Sequence, residues 1–323
     1  MAGQNAATTR IRELASRYRI ELAMLGALML LCTALTILQP RFLSPLNLQN
    51  VLSQVMVLGI IAIGQTMVIL TGGIDLSVGG IAAISVMTGG LAMVGSNSVG
   101  LGAVVSLGTG LLVGLVNGLL VARLRLAPFI VTLGTAAICS SLAYVISNGS
   151  SLVDLPKGYA IWGKGEIAGI RGYIFLFAIL YILAHLVLTR TKPGRFWYAI
   201  GSNQEAARLS GVRVQRYLVL PYVISGLLCA LAMLIEASRL GVVDPNTGGG
   251  FEMRTIAAAV IGGASLMGGR GSVVGTLIGM FLIGVLQNGL NILGVNAFWQ
   301  GTALGAVIIL AVILDRLVPR GRG

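Results

Sequence analysis

Charge is what this chain has least of. Only 10% of its 323 residues are Asp, Glu, Lys or Arg, against about 25% in an ordinary soluble domain. With 56% hydrophobic residues and a mean hydropathy of +0.93, a water-soluble fold is excluded. Histidine is nearly absent as well. The single one, His185, sits near the end of an apolar run, where an interfacial side chain explains it better than a catalyst. The three cysteines, Cys32, Cys139 and Cys229, fall inside apolar runs with no short spacing between them, which excludes a redox or metal-binding cysteine motif. Acids number ten, and only Asp75 and Glu236 lie close to apolar runs. That scarcity argues against an ion-coupled pump, which needs ionisable groups within the membrane. It also leaves a membrane enzyme without a nucleophile–base pair, so no catalytic residue, metal site or cofactor is expected.

A bound nucleotide is not expected either. The stretch GYAIWGKG at 158–165 imitates a phosphate-binding loop, but Gly165 stands where a Ser or Thr should meet the metal. Any energy must then come from another chain.

What is present is hydrocarbon, in runs long enough to cross a bilayer. They are 20–38, 51–70, 78–94, 101–122, 129–147, 173–188, 218–235, 256–267, 272–293 and about 299–314. The first is too long for the core of a signal peptide and is read as a retained helix. The expectation is an all-α polytopic membrane protein of about ten helices. Residues 1–19 form a cytoplasmic segment, 20–314 the transmembrane domain and 315–323 a basic cytoplasmic tail. With both termini inside, 16 of the 22 basic residues fall on the cytoplasmic side, as the positive-inside rule requires. The net charge of +12 is thereby explained by topology, and no nucleic-acid partner is implied. The breaks at 71–77 and 268–271 are either turns or re-entrant interruptions. Glycines at 110, 114 and 118, and at 271, 275 and 279, predict flat ridges for close helix contact.

Few polar residues interrupt the runs. Gln54, Gln65, Thr66, Asn117, Gln287, Asn288 and Asn291 either tie helices together or line a weakly polar path suited to a neutral, hydroxyl-rich solute. Asp75, in GGIDLSVGG, has two readings. It or Ser77 caps the following helix, or Asp75 faces the translocation path.

The longest polar stretch between apolar runs is 189–217, with six basic residues against the single acid Glu205. Within it, SNQEAARLSGV at 202–212 predicts a short helix capped by Ser202 or Asn203 and ended by Gly211. Such a helix is either an interfacial element or a knob for a partner.

Glu205-Ala206-Ala207 followed by Gly211 resembles the EAA-type coupling loop of bacterial ABC importer permeases, although Leu-Val-Leu-Pro at 218–221 comes sooner than in the commonest form. The stretches GQTMVILTGGIDLSVGG (64–80), 251–295 and AVIILAVILDR (306–316) resemble the ribose-type monosaccharide permeases of the branched-chain amino acid/ribose permease superfamily. The resemblance runs across nearly the whole chain. It implies a multi-pass subunit of the bacterial inner membrane, used in two copies or with a paralogue. A separate cytoplasmic ATPase would meet the coupling helix between the sixth and seventh spans, and an extracytoplasmic sugar-binding protein would deliver the solute. The alternative from another class is a stand-alone facilitator or secondary carrier.

Overall fold

The computed structural model describes residues 19–317. The segments 1–18 and 318–323 of the expected cytoplasmic ends lie outside the described residues. Long helices dominate: α1 (Arg19–Leu38), α2 (Pro45–Leu70), α3 (Val78–Ser96), α4 (Val99–Ala122) and α5 (Pro128–Ser147). A short α6 (Ala160–Lys164) and a two-stranded antiparallel ribbon, β1 (Glu166–Ile167) with β2 (Ile170–Arg171), precede α7 (Gly172–Arg190). Two short helices follow, α8 (Lys192–Ser202) and α9 (Gln204–Leu209). The chain then forms α10 (Val214–Leu240), α11 (Phe251–Ile261), α12 (Val273–Ile292) and α13 (Ala297–Leu317).

Among the described residues, eight helices are long and apolar enough to cross a membrane: α1–α5, α7, α10 and α12. The chain is a multi-pass membrane protein. Their ends follow local chemistry. Ser44 accepts the Asn47 N–H with Pro45 in the first turn of α2, and Ser98 and Ser272 cap α4 and α12 in the same way. Asn97, Asn148 and Gly241 close α3, α5 and α10 in the left-handed conformation that Asn and Gly tolerate.

One expected run needs correction. Residues 256–267 are not a continuous helix, because α11 starts earlier, at Phe251, and ends at Ile261. Eleven residues rise about 16 Å, short of the roughly 30 Å hydrocarbon core. The chain covers the rest of this passage as the unwound segment 262–272, with left-handed glycines at 263, 268 and 269.

Burial shows which helices form the middle. In α2, 89% of the apolar window is enclosed, against 11% in α1, which therefore lies on the periphery of the bundle. Helix α10 packs along α2, α3 and α4. The glycine ridge on α4 lets it do so: a Cβ on Gly110 would strike the Gly226 carbonyl oxygen of α10, and one on Gly114 the Tyr222 carbonyl oxygen. The second ridge is shorter than expected. Gly275 and Gly279 on α12 lie against Gly262 and Ala258, while Gly271 belongs to the preceding loop and packs on Ala264.

Loop contacts sort the ends of the bundle. At one end, 148–163 joins the end of α10: Leu152 and Val243 form a bridge, Ser151 donates to Asp244, and Tyr159 Oη donates to the Leu234 carbonyl. At the other end, the segments 71–73, 121–128 and 204–218 surround one groove. The two groups of loops lie at opposite ends of the bundle.

Candidate coupling surface and polar pathway

Helix α8 builds the end of the bundle that carries this groove. Thr191 caps it by accepting the Gly194 N–H, with Pro193 in its first turn. Its apolar face buries Trp197 and Ile200. The anchor is Trp197, whose indole N–H donates to the Tyr217 carbonyl at 2.8 Å. Pro221, inside α10, has no N–H to offer that carbonyl four residues back. The tryptophan of one element thus occupies the gap that a proline opens in another.

The far end of α8 rests on both chain breaks. Gly201 lies against the Leu70 carbonyl and the Gly269 N–H, so closely that a Cβ there would overlap both. The Gly269 N–H itself donates to the Leu70 carbonyl at 2.9 Å, and Gly268 lies against Gly72 and Gly201. Tyr198 Oη donates to the Gly271 carbonyl at 2.8 Å. The end of α2, the unwound 262–272 segment and α8 therefore form one backbone-to-backbone junction.

The helix expected within 202–212 forms as α9, Gln204–Leu209. Ser202 ends α8, and Asn203 is the cap, accepting the Ala206 N–H at 2.9 Å at the start of α9. Gly211, at φ +82°, turns the chain away after Leu209. Ala207 is buried with Ile200 and Val214, which fixes α9 to its neighbours. Glu205 and Ala206 are exposed. Glu205 hydrogen-bonds Arg208 through both carboxylate oxygens, which holds its carboxyl below the usual range. That pair stands in solvent and is screened. Leu209, 76% exposed, protrudes from this otherwise polar end. Its exposure is the feature that sequence reading missed, since a leucine after Ala-Ala-Arg reads as a buried helix position. Beside it, a groove of about 1030 Å³ carries Arg125, Arg208, Arg213 and Arg216.

The first break is re-entrant. After Gly72, at φ +81°, the chain climbs back into the bundle, and Asp75 is fully buried. Its Oδ1 accepts both the backbone N–H and the hydroxyl of Ser77, and its Oδ2 accepts the Ser225 hydroxyl of α10 at 2.9 Å. Ser225 packs on Gly64, nearly two turns up α2, which gives the depth Asp75 reaches. Asn117 of α4 donates to the Ser77 hydroxyl at 2.8 Å and accepts from Thr135 of α5 at 2.6 Å. Ser77 is the N-cap residue of α3 but makes no side-chain cap, because its hydroxyl donates to Asp75, while Asp75 itself accepts the Ser77 N–H just ahead of the helix. The carboxylate closes the turn and ties four elements together.

Outside that network, the other polar residues separate. Thr66 bonds Thr276 at 2.8 Å, and Asn288 exchanges two hydrogen bonds with Asn47 at 3.0 and 2.8 Å. Gln65 is fully buried, and neither amide atom has a partner among the described residues. Gln287 and Asn291 face a cavity of about 250 Å³ in the outer half of the bundle, together with Gln54. No group of three metal-ligating side chains occurs among the described residues.

Similarity to known proteins agrees with this arrangement. The family model described as the permease component of branched-chain amino acid transport systems matches residues 47–312. A ribose import permease protein of Bacillus subtilis is 44% identical over 292 residues, covering 90% of each chain. The ribose import permease protein of Escherichia coli K12 is 40% identical over 296 residues, 90% of this chain and 91% of the relative. A fructose import permease protein of Rhizobium meliloti is 39% identical over 293 residues, covering 88% and 81%. With that match over 47–312 and relatives of this identity over nine-tenths of its length, the chain belongs to the branched-chain amino acid transport system permease family, on its ribose-type branch.

Proposed function

We propose that this protein is the membrane subunit of a bacterial ATP-binding cassette importer and carries a monosaccharide or a similar neutral polyhydroxylated solute across the inner membrane. The observation that carries the reading is the junction at Gly201. A force applied to α8 and α9 from the cytoplasm reaches both chain breaks directly, with backbone against backbone. Support for the solute class comes from the relatives that are ribose and fructose import permeases and from the amides and hydroxyls of the interior.

In this reading the chain crosses the membrane about ten times, α11 with its unwound continuation counting as one passage and α13 as the last, and both ends lie inside. Two permease copies, or one copy with a paralogue, frame the path. The segments 148–172 and 241–250 receive a sugar-binding protein on the outside. Glu205, Ala206 and Leu209 meet a cytoplasmic ATPase, while Ala207 and Gly211 hold their geometry. ATP binding then shifts the population between outward- and inward-facing bundles by differential contact with α8 and α9. Gln65, Thr66, Asp75, Asn117, Gln287, Asn288 and Asn291 lie along or beside the path.

Reconstitution tests the reading. Proteoliposomes holding the permease, its ATPase and the loaded sugar-binding protein should accumulate a labelled pentose or hexose only with ATP inside the cytoplasmic compartment. Equilibration of the same sugar by the permease alone would favour a stand-alone facilitator.

A further inference from the structure

In the outer half of the bundle, α2, α10, α11 and α12 leave a cavity of about 250 Å³. Gln54, Gln287 and Asn291 line it, and its charged groups come from two other stretches of the wall. Glu236 and Arg239 stand one helical turn apart near the end of α10 and form a two-bond pair, Nε–Oε2 at 2.9 Å and Nη2–Oε1 at 2.7 Å. Arg254 reaches in from α11, which begins inside the protein. Phe251, one turn before it, joins the same wall and packs against the three main apolar clusters, so its ring is held in place.

Charges in a membrane bundle are costly and are retained where they act on a pathway. Here they partly cancel: Glu236 offsets Arg239 in a direct pair, and Arg254 is the one uncompensated charge of the lining. A guanidinium donates to neutral hydroxyls as readily as to an anion, and acceptors stand on the same wall. What remains is a set of planar, multidentate side chains: a carboxylate, two guanidinium forks and three amides. Each presents paired donors or acceptors at a spacing that matches two neighbouring hydroxyls. A fixed phenyl ring beside them offers a surface for the C–H face of a saturated ring. The volume lies just under that of drug-sized pockets, enough for a ring of about ten to twelve heavy atoms. A disaccharide would not fit.

From this we infer that the cavity is a transient binding station for a single neutral sugar ring on its way from the outer face, with Glu236, Arg239, Arg254 and Gln287 as its hydrogen-bonding residues and Phe251 as its stacking surface. The inference rests on the proposed transport of a monosaccharide and adds the site within the permease where the solute is held. Specificity then resides partly in this subunit. Analogues lacking the hydroxyls that the carboxylate and amides bind would pass more slowly, because buried polar groups would be left unpaired.

The test uses the whole importer, permease with ATPase and sugar-binding protein, in proteoliposomes. Initial uptake of labelled ribose, fructose and a branched-chain amino acid is compared for the unmodified permease and for Glu236→Gln, Arg254→Gln and Gln287→Leu. Membrane yield and co-purification of the ATPase serve as the folding control. Glu236→Gln is nearly isosteric and still hydrogen-bonds Arg239, so it reports on binding if Arg254→Gln fails to assemble. The expected result is uptake of one of the sugars by the unmodified importer and a loss of about tenfold in each assembled variant at saturating sugar. Uptake within about twofold of the unmodified rate in assembled variants overturns the cavity assignment and leaves the monosaccharide reading intact. An unmodified importer that moves the amino acid and no sugar overturns both.

Discussion

Gly201→Leu is expected to abolish solute accumulation while the protein still inserts in the membrane. The substituted Cβ cannot coexist with the Leu70 carbonyl and the Gly269 N–H in their present positions. Either α8 lifts off the two breaks or the Gly269–Leu70 hydrogen bond opens. Both outcomes separate the cytoplasmic helices from the bundle they would drive. The clash involves backbone atoms, so no side-chain rotation relieves it. The change lies at the end of the bundle, away from the α2–α10 core. Helix formation and insertion should survive, and uptake should fall by well over about tenfold. Gly211→Leu makes a useful contrast. A side chain there meets open space, and the cost is confined to the left-handed backbone, about 1–2 kcal/mol. If Gly201→Leu transports at the normal rate, the junction carries no mechanical signal.

The second large effect falls on stability. Asp75→Ala removes the acceptor for the Ser77 N–H and for the hydroxyls of Ser77 and Ser225, all buried. Orphaned buried donors cost about 1–3 kcal/mol each. These costs do not add fully, because the hydroxyls can turn to other acceptors. A loss of about 3 kcal/mol or more is the expected scale. In detergent it should appear as a lowered thermal unfolding midpoint and as poor membrane yield. Asp75→Asn keeps the shape and one acceptor oxygen and should recover part of the loss. Full stability in Asp75→Ala would mean that the network is incidental to the re-entrant turn.

The long helices were legible in the sequence because their signals are local. Apolar length alone places α3 (Val78–Ser96), α4 (Val99–Ala122) and α5 (Pro128–Ser147) close to the expected runs 78–94, 101–122 and 129–147. Depth was not legible. Whether 71–77 turns outside the membrane or climbs into it depends on Ser225, 150 residues away, meeting both Asp75 and Gly64. For the same reason 256–267 read as one run: glycines at 262, 263, 268 and 269 permit a helix break but do not require one. The connector shows both sides. Asn203, Glu205 and Gly211 have local roles and were recognised, whereas Trp197 makes sense only once Pro221 is known to leave the Tyr217 carbonyl free beside it. In the outer cavity, the i,i+3 pair of Glu236 and Arg239 was readable on one helix. Arg254 joins it only because a half-length α11 starts inside the bundle.

The account stands on α8 and α9 being a cytoplasmic surface that an ATPase covers. Leu209, exposed at the tip, gives the most direct measurement. In Leu209→Cys, a membrane-impermeant thiol reagent applied to oriented vesicles should label position 209 from the cytoplasmic face only. The native Cys32, Cys139 and Cys229, half-buried or buried among apolar residues, serve as the background in the unmodified chain. Binding of the ATPase should then protect position 209 from the reagent. Labelling from the outer face, or unchanged labelling with the ATPase bound, would contradict the account.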